Sequence, residues 1–208
     1  MSPTPSTIEE YDRQAPPRAS TETATFALGC FWGPDARFGA LDGVVRTRVG
    51  YAGGTTADPT YHDLGDHTEA FQVDYDPDVR SFESLLDLAF RGHDHTRQPS
   101  KRQYQHVVFA STAAQADTIR SYLDARGLTR EGIATRIEQL SRFHLAEDYH
   151  QKHSLRGRQS LLNTFEQAGY DDADLRESPA AAKLNGYAAG RDLPEGHDLG
   201  ASTNRTVH

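Results

Sequence analysis

The residue with the clearest capacity for chemistry is Cys30, in the segment Gly29-Cys30-Phe31-Trp32-Gly33. A short apolar run precedes it and a proline follows at position 34, so the thiol should lie where a strand gives way to the first turn of a helix. Backbone N–H groups and the positive end of the helix dipole favour a thiolate at such a place, and the thiolate is the nucleophilic form. The alternative is a buried, inert cysteine beside two core aromatic residues. The segment alone leaves both open.

The rest of the chain must supply the elements that hold this segment. Apolar runs and alternating patterns predict five strands and, with helical spacing, at least three further helices. Ser81 is a plausible N-cap for the first of these helices. Strands and helices mix without an internal repeat, which predicts an α+β (α/β sandwich) fold with a mixed central sheet flanked by helices. The predicted strands cover residues 25–28, 44–51, 69–75, 106–110 and 134–140, and the helical segments cover 81–90, 112–126 and 146–169.

Composition divides the chain into three parts. Residues 1–22 are rich in Pro, Ser and Thr and are expected to form a disordered arm. Residues 23–169 carry the patterned segments and are expected to form the catalytic domain. Residues 170–208 are polar and contain glycine, so we expect a long irregular extension that wraps the domain or is partly disordered.

Composition also excludes several classes of protein. The 208 residues carry a net charge of 22 − 30 = −8 and contain one cysteine. One cysteine excludes an intrachain disulfide and a four-thiolate or CxxC metal site. The acidic balance argues against a nucleic acid or an anionic membrane as the main partner, and no apolar run approaches the roughly 20 residues that span a bilayer. The N-terminus lacks a secretory pattern, so a cytoplasmic protein is the expectation.

Six further segments join Cys30 in an ordered series, and together with FALGCFWG they resemble successive motifs of the peptide methionine sulfoxide reductase A family. They are VGYAGG (49–54), PTY (59–61), HTEAFQVDYDP (67–77), QYQHVVF (103–109), FHLAEDYHQKH (143–153) and KLNGY (183–187). The last resembles a tail motif of longer, animal-type members, as does the shortened segment before Glu69. The resemblance covers about residues 23–190.

This resemblance implies an activity and a set of site residues. Family members reduce the S-epimer of methionine sulfoxide, free or within a protein, through a cysteine sulfenic acid and without a bound cofactor or metal. By the motif match, Cys30 is the nucleophile and Glu69 the acid, while Tyr61 and Tyr104 donate hydrogen bonds to the sulfoxide oxygen. Phe31 and Trp32 match the pocket for the S-methyl group. Without the resemblance, Glu69 would be a surface charge and the two tyrosines packing residues.

Two departures from the family pattern affect the mechanism. Many members place an acidic residue five positions before the tyrosine that matches Tyr104, and this chain has Pro99 there. The chain also lacks the resolving cysteines found in other members, so Cys30 sulfenic acid would wait for an external thiol. We expect thioredoxin, glutaredoxin with glutathione, or another small thiol as reductant.

Three alternatives stay open at this stage. The ten histidines include His93, His95, His150 and His153, whose spacing suits a metal, although solvated or hydrogen-bonded histidines are the expectation. The altered loops around Tyr61 would also allow an enzyme of the same fold that acts on another sulfoxide or sulfur compound. A non-catalytic protein that binds methyl-sulfur groups is the third alternative. The sequence leaves the oligomeric state open, with a monomer as the expectation.

Overall fold

The computed structural model describes residues 2–129, 131–197 and 199–200. Its centre is a six-stranded sheet in the order β5-β4-β1-β3-β2-β6. All neighbouring strands are antiparallel except β4 and β5, so the sheet is mixed, as the sequence predicts. The strands are β1 (Glu22–Leu28), β2 (Val44–Ala52), β3 (Thr68–Tyr75), β4 (His106–Ala110), β5 (Arg136–Gln139) and β6 (Phe143–Leu145).

Eight α-helices lie within the described residues and complete the α+β fold. Ser81 caps α3 as predicted, because its hydroxyl accepts a hydrogen bond from the Ser84 N–H at 3.1 Å. The helical segment predicted at 146–169 is divided, since Lys152 has a φ of +55° and Gly157 ends the short α5. The helices are α1 (Pro5–Gln14), α2 (Trp32–Gly39), α3 (Phe82–Arg91), α4 (Ala113–Ala125), α5 (His153–Arg156), α6 (Gln159–Gln167), α7 (Asp172–Glu177) and α8 (Pro179–Ala188).

The main core covers one face of the sheet. Phe26 of β1 and Phe71 of β3 meet Phe38 of α2 and Phe82 of α3, with ring centroids 5.0–6.1 Å apart. Since side chains alternate along a strand, Glu69 of β3 points to this same face as Phe71. The opposite face carries a smaller cluster of alanines with Val107 and Phe109. The bulky face therefore fixes α2, whose first residue follows Phe31, against the strand that carries Glu69.

A second hydrophobic cluster corrects the predicted N-terminal arm. Residues 5–14 form α1 rather than a disordered segment, and Ile8 is fully buried against α5–α8. Asp12 of α1 accepts a hydrogen bond from the Ala180 N–H at 2.7 Å and another from the Tyr170 hydroxyl at 2.9 Å. The composition of 1–22 conceals this helix because its partners lie more than 150 residues away in the sequence.

The predicted irregular C-terminal extension is also partly helical. Helices α7 and α8 occupy residues 172–188, and the second cluster joins Phe165 to Leu175 across residue 169, the predicted end of the catalytic domain. Glu177, the last residue of α7, contacts Arg48 of β2 at 3.1 Å. Residues 191–197 and 199–200 contain no helix or strand, while 198 and 201–208 lie outside the described residues. No helix in the described part of the chain is long and apolar enough to cross a membrane.

Candidate active site

Cys30 lies between the end of β1 and the start of α2, as predicted. Gly29 has a φ of +81°, which lets the chain turn from strand to helix, and Cys30 is exposed. The expected preference for thiolate is not what the surroundings give. Partial burial of the sulfur raises the pKa of Cys30, the charge of Glu69 raises it too, and the Trp32 N–H opposes both. Desolvation therefore outweighs the end of the helix, and the free thiol is favoured in the absence of substrate.

Glu69 is the second residue of β3 and is 1% exposed. Its Oε2 accepts a hydrogen bond from the Phe31 N–H at 3.1 Å, and its Oε1 accepts one from Gln103 Nε2 at 2.7 Å. Burial raises the pKa of Glu69 even though both hydrogen bonds lower it. The carboxyl group is thus tied directly to the residue after Cys30, and its raised pKa is the direction expected of a proton donor.

The two tyrosines approach this pair from separate loops. The backbone N–H of Tyr61 donates to Glu147 Oε1 at 2.9 Å, while Tyr104 ends the 3₁₀ turn Arg102–Tyr104. The pKa of Tyr104 is raised by burial, then by the charges of Glu69, Tyr61 and Cys30, and by a hydrogen bond with Tyr61. The charges of Glu69, Tyr61 and Cys30 therefore all act on the Tyr104 hydroxyl.

The aromatic residues after Cys30 form a wall of rings together with two histidines and Tyr61. Phe31 is buried, and its ring centroid lies 5.2 Å from that of His150. Trp32 donates from Nε1 to His150 Nδ1 at 3.2 Å, and its ring stacks on His153 with centroids 3.7 Å apart and an interplanar angle of 9°. The Tyr61 ring lies 4.7 Å from His150. Aromatic rings are therefore grouped beside the cysteine, while the binding of the S-methyl group by Phe31 and Trp32 stays a prediction.

Gln151 and Lys152 lie behind this wall, in the motif 143–153, and hold it against β2. Gln151 pairs with the backbone of Val49, accepting from its N–H at 2.9 Å and donating to its carbonyl at 2.8 Å. Lys152 donates to the Thr47 carbonyl at 2.6 Å, and burial lowers its pKa. The segment 150–153 is thus fixed to β2 by its two middle residues, and both histidines that flank them face Trp32.

Glu147 and Gln103 are two further site residues that the sequence did not single out. Glu147 accepts from the Tyr51 hydroxyl at 2.7 Å as well as from the Tyr61 N–H, and those hydrogen bonds help to lower its pKa. Glu147 therefore positions the loop that carries Tyr61. Gln103 donates a hydrogen bond to Glu69, and it lies in the loop in which Pro99 stands in place of the family's acidic residue.

The histidines make hydrogen bonds and ring contacts. His93 lies between the Ala89 carbonyl at 2.8 Å from Nδ1 and the Thr135 hydroxyl at 2.7 Å from Nε2. His150 and His153 contact Trp32. Among residues 2–129, 131–197 and 199–200, no three His, Cys, Asp or Glu side chains are grouped as metal ligands would be.

Comparison with known proteins agrees with this geometry. The family model described as peptide methionine sulfoxide reductase matches residues 22–177. The chain is 42% identical over 171 residues to a peptide methionine sulfoxide reductase of Drosophila melanogaster, covering 81% of this chain and 68% of that protein. It is 39% identical over 181 residues to peptide methionine sulfoxide reductase A5 of Arabidopsis thaliana, covering 83% and 70% of the two chains.

Solved structures show the same relationship. Methionine sulfoxide reductase A of Corynebacterium diphtheriae superposes with a TM-score of 0.59 at 34% identity, covering 67% of this chain and 76% of that one. Mxr1 of Saccharomyces cerevisiae in its reduced form gives a TM-score of 0.58 at 30% identity, covering 70% and 90%. The chain belongs to the peptide methionine sulfoxide reductase family, and its activity is the reduction of methionine sulfoxide.

Proposed function

We propose that Cys30 carries this reduction through a sulfenic acid and that the substrate is the S-epimer of methionine sulfoxide, free or in a protein. The sulfur of Cys30 attacks the sulfoxide sulfur, the oxygen passes to Cys30 as the sulfur–oxygen bond of the substrate breaks, and the transient bond between the two sulfurs breaks to release the thioether. Cys–SH and sulfoxide thus become Cys–SOH and thioether, so the cysteine is oxidised as methionine is reduced. The hydrogen bond of 3.1 Å from the Phe31 N–H, next to Cys30, to Glu69 Oε2 is the observation that carries the proposal.

Glu69 is proposed as the proton donor to the sulfoxide oxygen. Its negative charge raises the pKa of Cys30, so a Glu69 that keeps its proton makes the thiolate easier to form. The two groups therefore support each other in the reactive state, with the proton on the carboxyl and the charge on sulfur. Tyr61 and Tyr104 are proposed to donate from their hydroxyls to the same oxygen, which is supported by the action of the Glu69 and Cys30 charges on the Tyr104 hydroxyl.

The wall of rings beside Cys30 supports the proposal that the substrate carries a methyl-sulfur group. Phe31 and Trp32 offer apolar surface beside Cys30, and His150 completes it. Because His150 Nδ1 accepts the Trp32 N–H, its proton is on Nε2, which is buried without a protein partner. The rings are proposed to contact the methyl group of the bound substrate.

Turnover is proposed to depend on an external thiol, since Cys30 is the one cysteine in the sequence. Two thiols convert Cys–SOH to Cys–SH, water and a disulfide. Thioredoxin, glutaredoxin with glutathione, or a small thiol would serve, and the exposure of Cys30 gives each of them access. Mass spectrometry after adding substrate without reductant should show one oxygen gained on Cys30, whereas an unchanged thiol would exclude this route. The cytoplasmic location and monomeric state stay predictions.

The deciding experiment is an epimer assay. Peptides with separated S- and R-methionine sulfoxide are incubated with the protein and dithiothreitol, and methionine is quantified. We expect reduction of the S-epimer alone, abolished in Cys30→Ser. Reduction of both epimers, or activity that survives Cys30→Ser, would contradict the proposal. Activity on other sulfoxides but not on methionine sulfoxide would favour the alternative substrate class.

A further inference from the structure

Helix α8 packs against α2, the helix that starts next to Cys30. The backbones of the two helices are in close contact. A Cβ on Gly39 of α2 would lie 2.5 Å from the Ala182 carbonyl oxygen, and one on Gly186 of α8 would lie 2.7 Å from the Ala36 carbonyl oxygen. Real Cβ atoms do not approach other atoms so closely, so glycine is required at both positions. The two helices therefore touch without intervening side chains, and neither can shift without moving the other.

Lys183 of α8 fixes the far end of α2. Its ammonium donates to the carbonyls of Gly39 at 3.0 Å, Val44 at 2.6 Å and Leu41. Three acceptors match the three donors of a lysine ammonium, and a positive charge is favourable at the C-terminal end of a helix. Lys183 is almost completely buried, so this contact holds the end of α2 within the protein interior.

Asn185 connects α2 to a second element of the site. It is 0% exposed, and both polar atoms of its side chain are used. Its Nδ2 donates to Asp35 Oδ2 in α2 at 2.8 Å, while its Oδ1 accepts the Leu155 N–H of α5 at 3.0 Å. One amide thus spans α2 and α5, and each of these bonds needs a different end of it.

The two helices joined by Asn185 carry two rings that stack on each other close to Cys30. Helix α2 begins at Trp32, two residues after Cys30, while α5 begins at His153, whose ring stacks on Trp32. A change in the angle between the helices would separate these rings and displace Cys30 relative to the wall. Displacements of about 1 Å at a reacting centre can lower a rate about 100-fold.

We propose that Asn185 is a positioning residue for the reaction, acting through Asp35 and Leu155 to hold the Cys30 segment against the histidine wall. The inference rests on the proposed role of Cys30 and deepens it, because it assigns a function to the KLNG part of the tail motif. Lys183 and Gly186 set where α2 lies, and Asn185 sets its alignment with α5.

A charge-exchange experiment tests this. Asn185→Asp places a carboxylate against Asp35 and should break the contact between α2 and α8 at this point. The double variant Asp35→Asn/Asn185→Asp restores an amide–carboxylate pair with the roles of the two residues reversed. Asn185→Ala removes both hydrogen bonds without adding charge and serves if Asn185→Asp does not fold. Leu175→Ala, which loosens the same helical cluster but contacts neither bond, is the matched control. Circular dichroism verifies that each protein is folded.

Two readouts separate positioning from stability. The first is the single-turnover rate of sulfenic acid formation on Cys30 with the S-sulfoxide peptide. The second is the fluorescence of Trp32, the one tryptophan in the sequence, which reports the stack on His153. We expect Asn185→Asp and Asn185→Ala to slow the single turnover about tenfold or more and to change the emission, and the double variant to recover both. Leu175→Ala should change neither.

The outcomes distinguish this inference from the proposed function. A folded Asn185→Ala protein with wild-type rate and emission would overturn the positioning role, as would a double variant no better than Asn185→Asp. If the wild-type protein forms no sulfenic acid on Cys30, the proposed function fails. In that case the Trp32 emission of the variants still shows whether Asn185 aligns the two helices.

Discussion

Replacing Glu69 by glutamine separates its role as a proton donor from its role in packing. Glutamine has the same shape, and its Oε1 can keep the hydrogen bond from the Phe31 N–H. Its amide group would then face the Gln103 amide, which can rotate to present its oxygen instead. We therefore expect the fold to survive with a loss of about 1 kcal/mol or less in the free energy of unfolding.

Catalysis should respond far more strongly. General acids contribute about 10²- to 10⁴-fold, so kcat/KM for the S-sulfoxide should fall by that range in Glu69→Gln. The pH dependence should change as well. The wild-type pair is active when it holds one proton, on Glu69, with the charge on Cys30, so activity should rise with pH as the pair loses its first proton and fall as it loses its second. Because the groups interact, the two limbs describe the pair. Glu69→Gln should keep only the rising limb.

The position of that remaining limb gives an independent measurement. The charge of Glu69 raises the pKa of Cys30, so removing it should move the ionisation of Cys30 to lower pH. Thiolate absorbance in the ultraviolet follows this titration without substrate. Glu22→Gln, the same change on the same sheet at a residue bonded to Tyr75, is the control and should alter neither quantity. A Glu69→Gln enzyme that retains wild-type kcat/KM and both limbs would refute the reasoning.

Three other predictions follow from the same contacts. Tyr104→Phe should lower kcat/KM by about 10- to 100-fold with little change in stability, because one donor to the sulfoxide oxygen is lost; an unchanged kcat/KM would contradict this. Arg48 and other arginines lower the pKa of Glu177 from 4.5 to about 2, so its contribution is present above pH 4.5 and disappears as pH falls toward 2. Urea unfolding of Glu177→Gln should show a loss of at most about 3 kcal/mol at neutral pH and less at pH 3. Burial lowers the pKa of His93 to about 4 from 6.5, so wild-type stability should decline as pH falls from 6.5 to 4, and His93→Gln should flatten that range in the same assay.

Elements whose signal is local could be predicted from the sequence. The alternation over 69–75 gives β3, and Ser81 gives the start of α3, because periodicity and capping depend on neighbouring residues. Helix α1 also has a local start signal, with Thr4 as N-cap and Pro5 at its first position, but what holds it in place could not be predicted in this way. One fully buried side chain, Ile8, joins it to the helical cluster, and Asp12 bonds to residues 158 and 168 positions away. Tertiary contacts decide such a helix, and composition cannot reveal them.

The same distinction, between local signals and contacts with distant residues, applies to the candidate site. Cys30 and Glu69 could be identified because each lies in a distinctive motif at a strand end. The direction in which the pKa of Cys30 shifts could not be predicted, since it depends on how deeply the sulfur is buried and on a carboxyl 39 positions away. His150 and Asn185 were missed for a similar reason. Each acts through a contact with α2 that no spacing within its own motif indicates.

The different exposures of Cys30 and Glu69 follow from the proposed cycle. Proton donation by Glu69 requires a desolvated carboxyl, and Glu69 is 1% exposed. A sulfenic acid that no second cysteine resolves must be reached from outside, and Cys30 is exposed, with open space where a Cβ on Gly29 or Gly33 would lie. The same openness admits oxidants, which convert sulfenic to sulfinic acid irreversibly in most proteins. A one-cysteine reductase therefore depends on the external thiol for two reasons. The thiol completes each turnover, and it removes the sulfenic acid before oxidants convert it irreversibly to sulfinic acid.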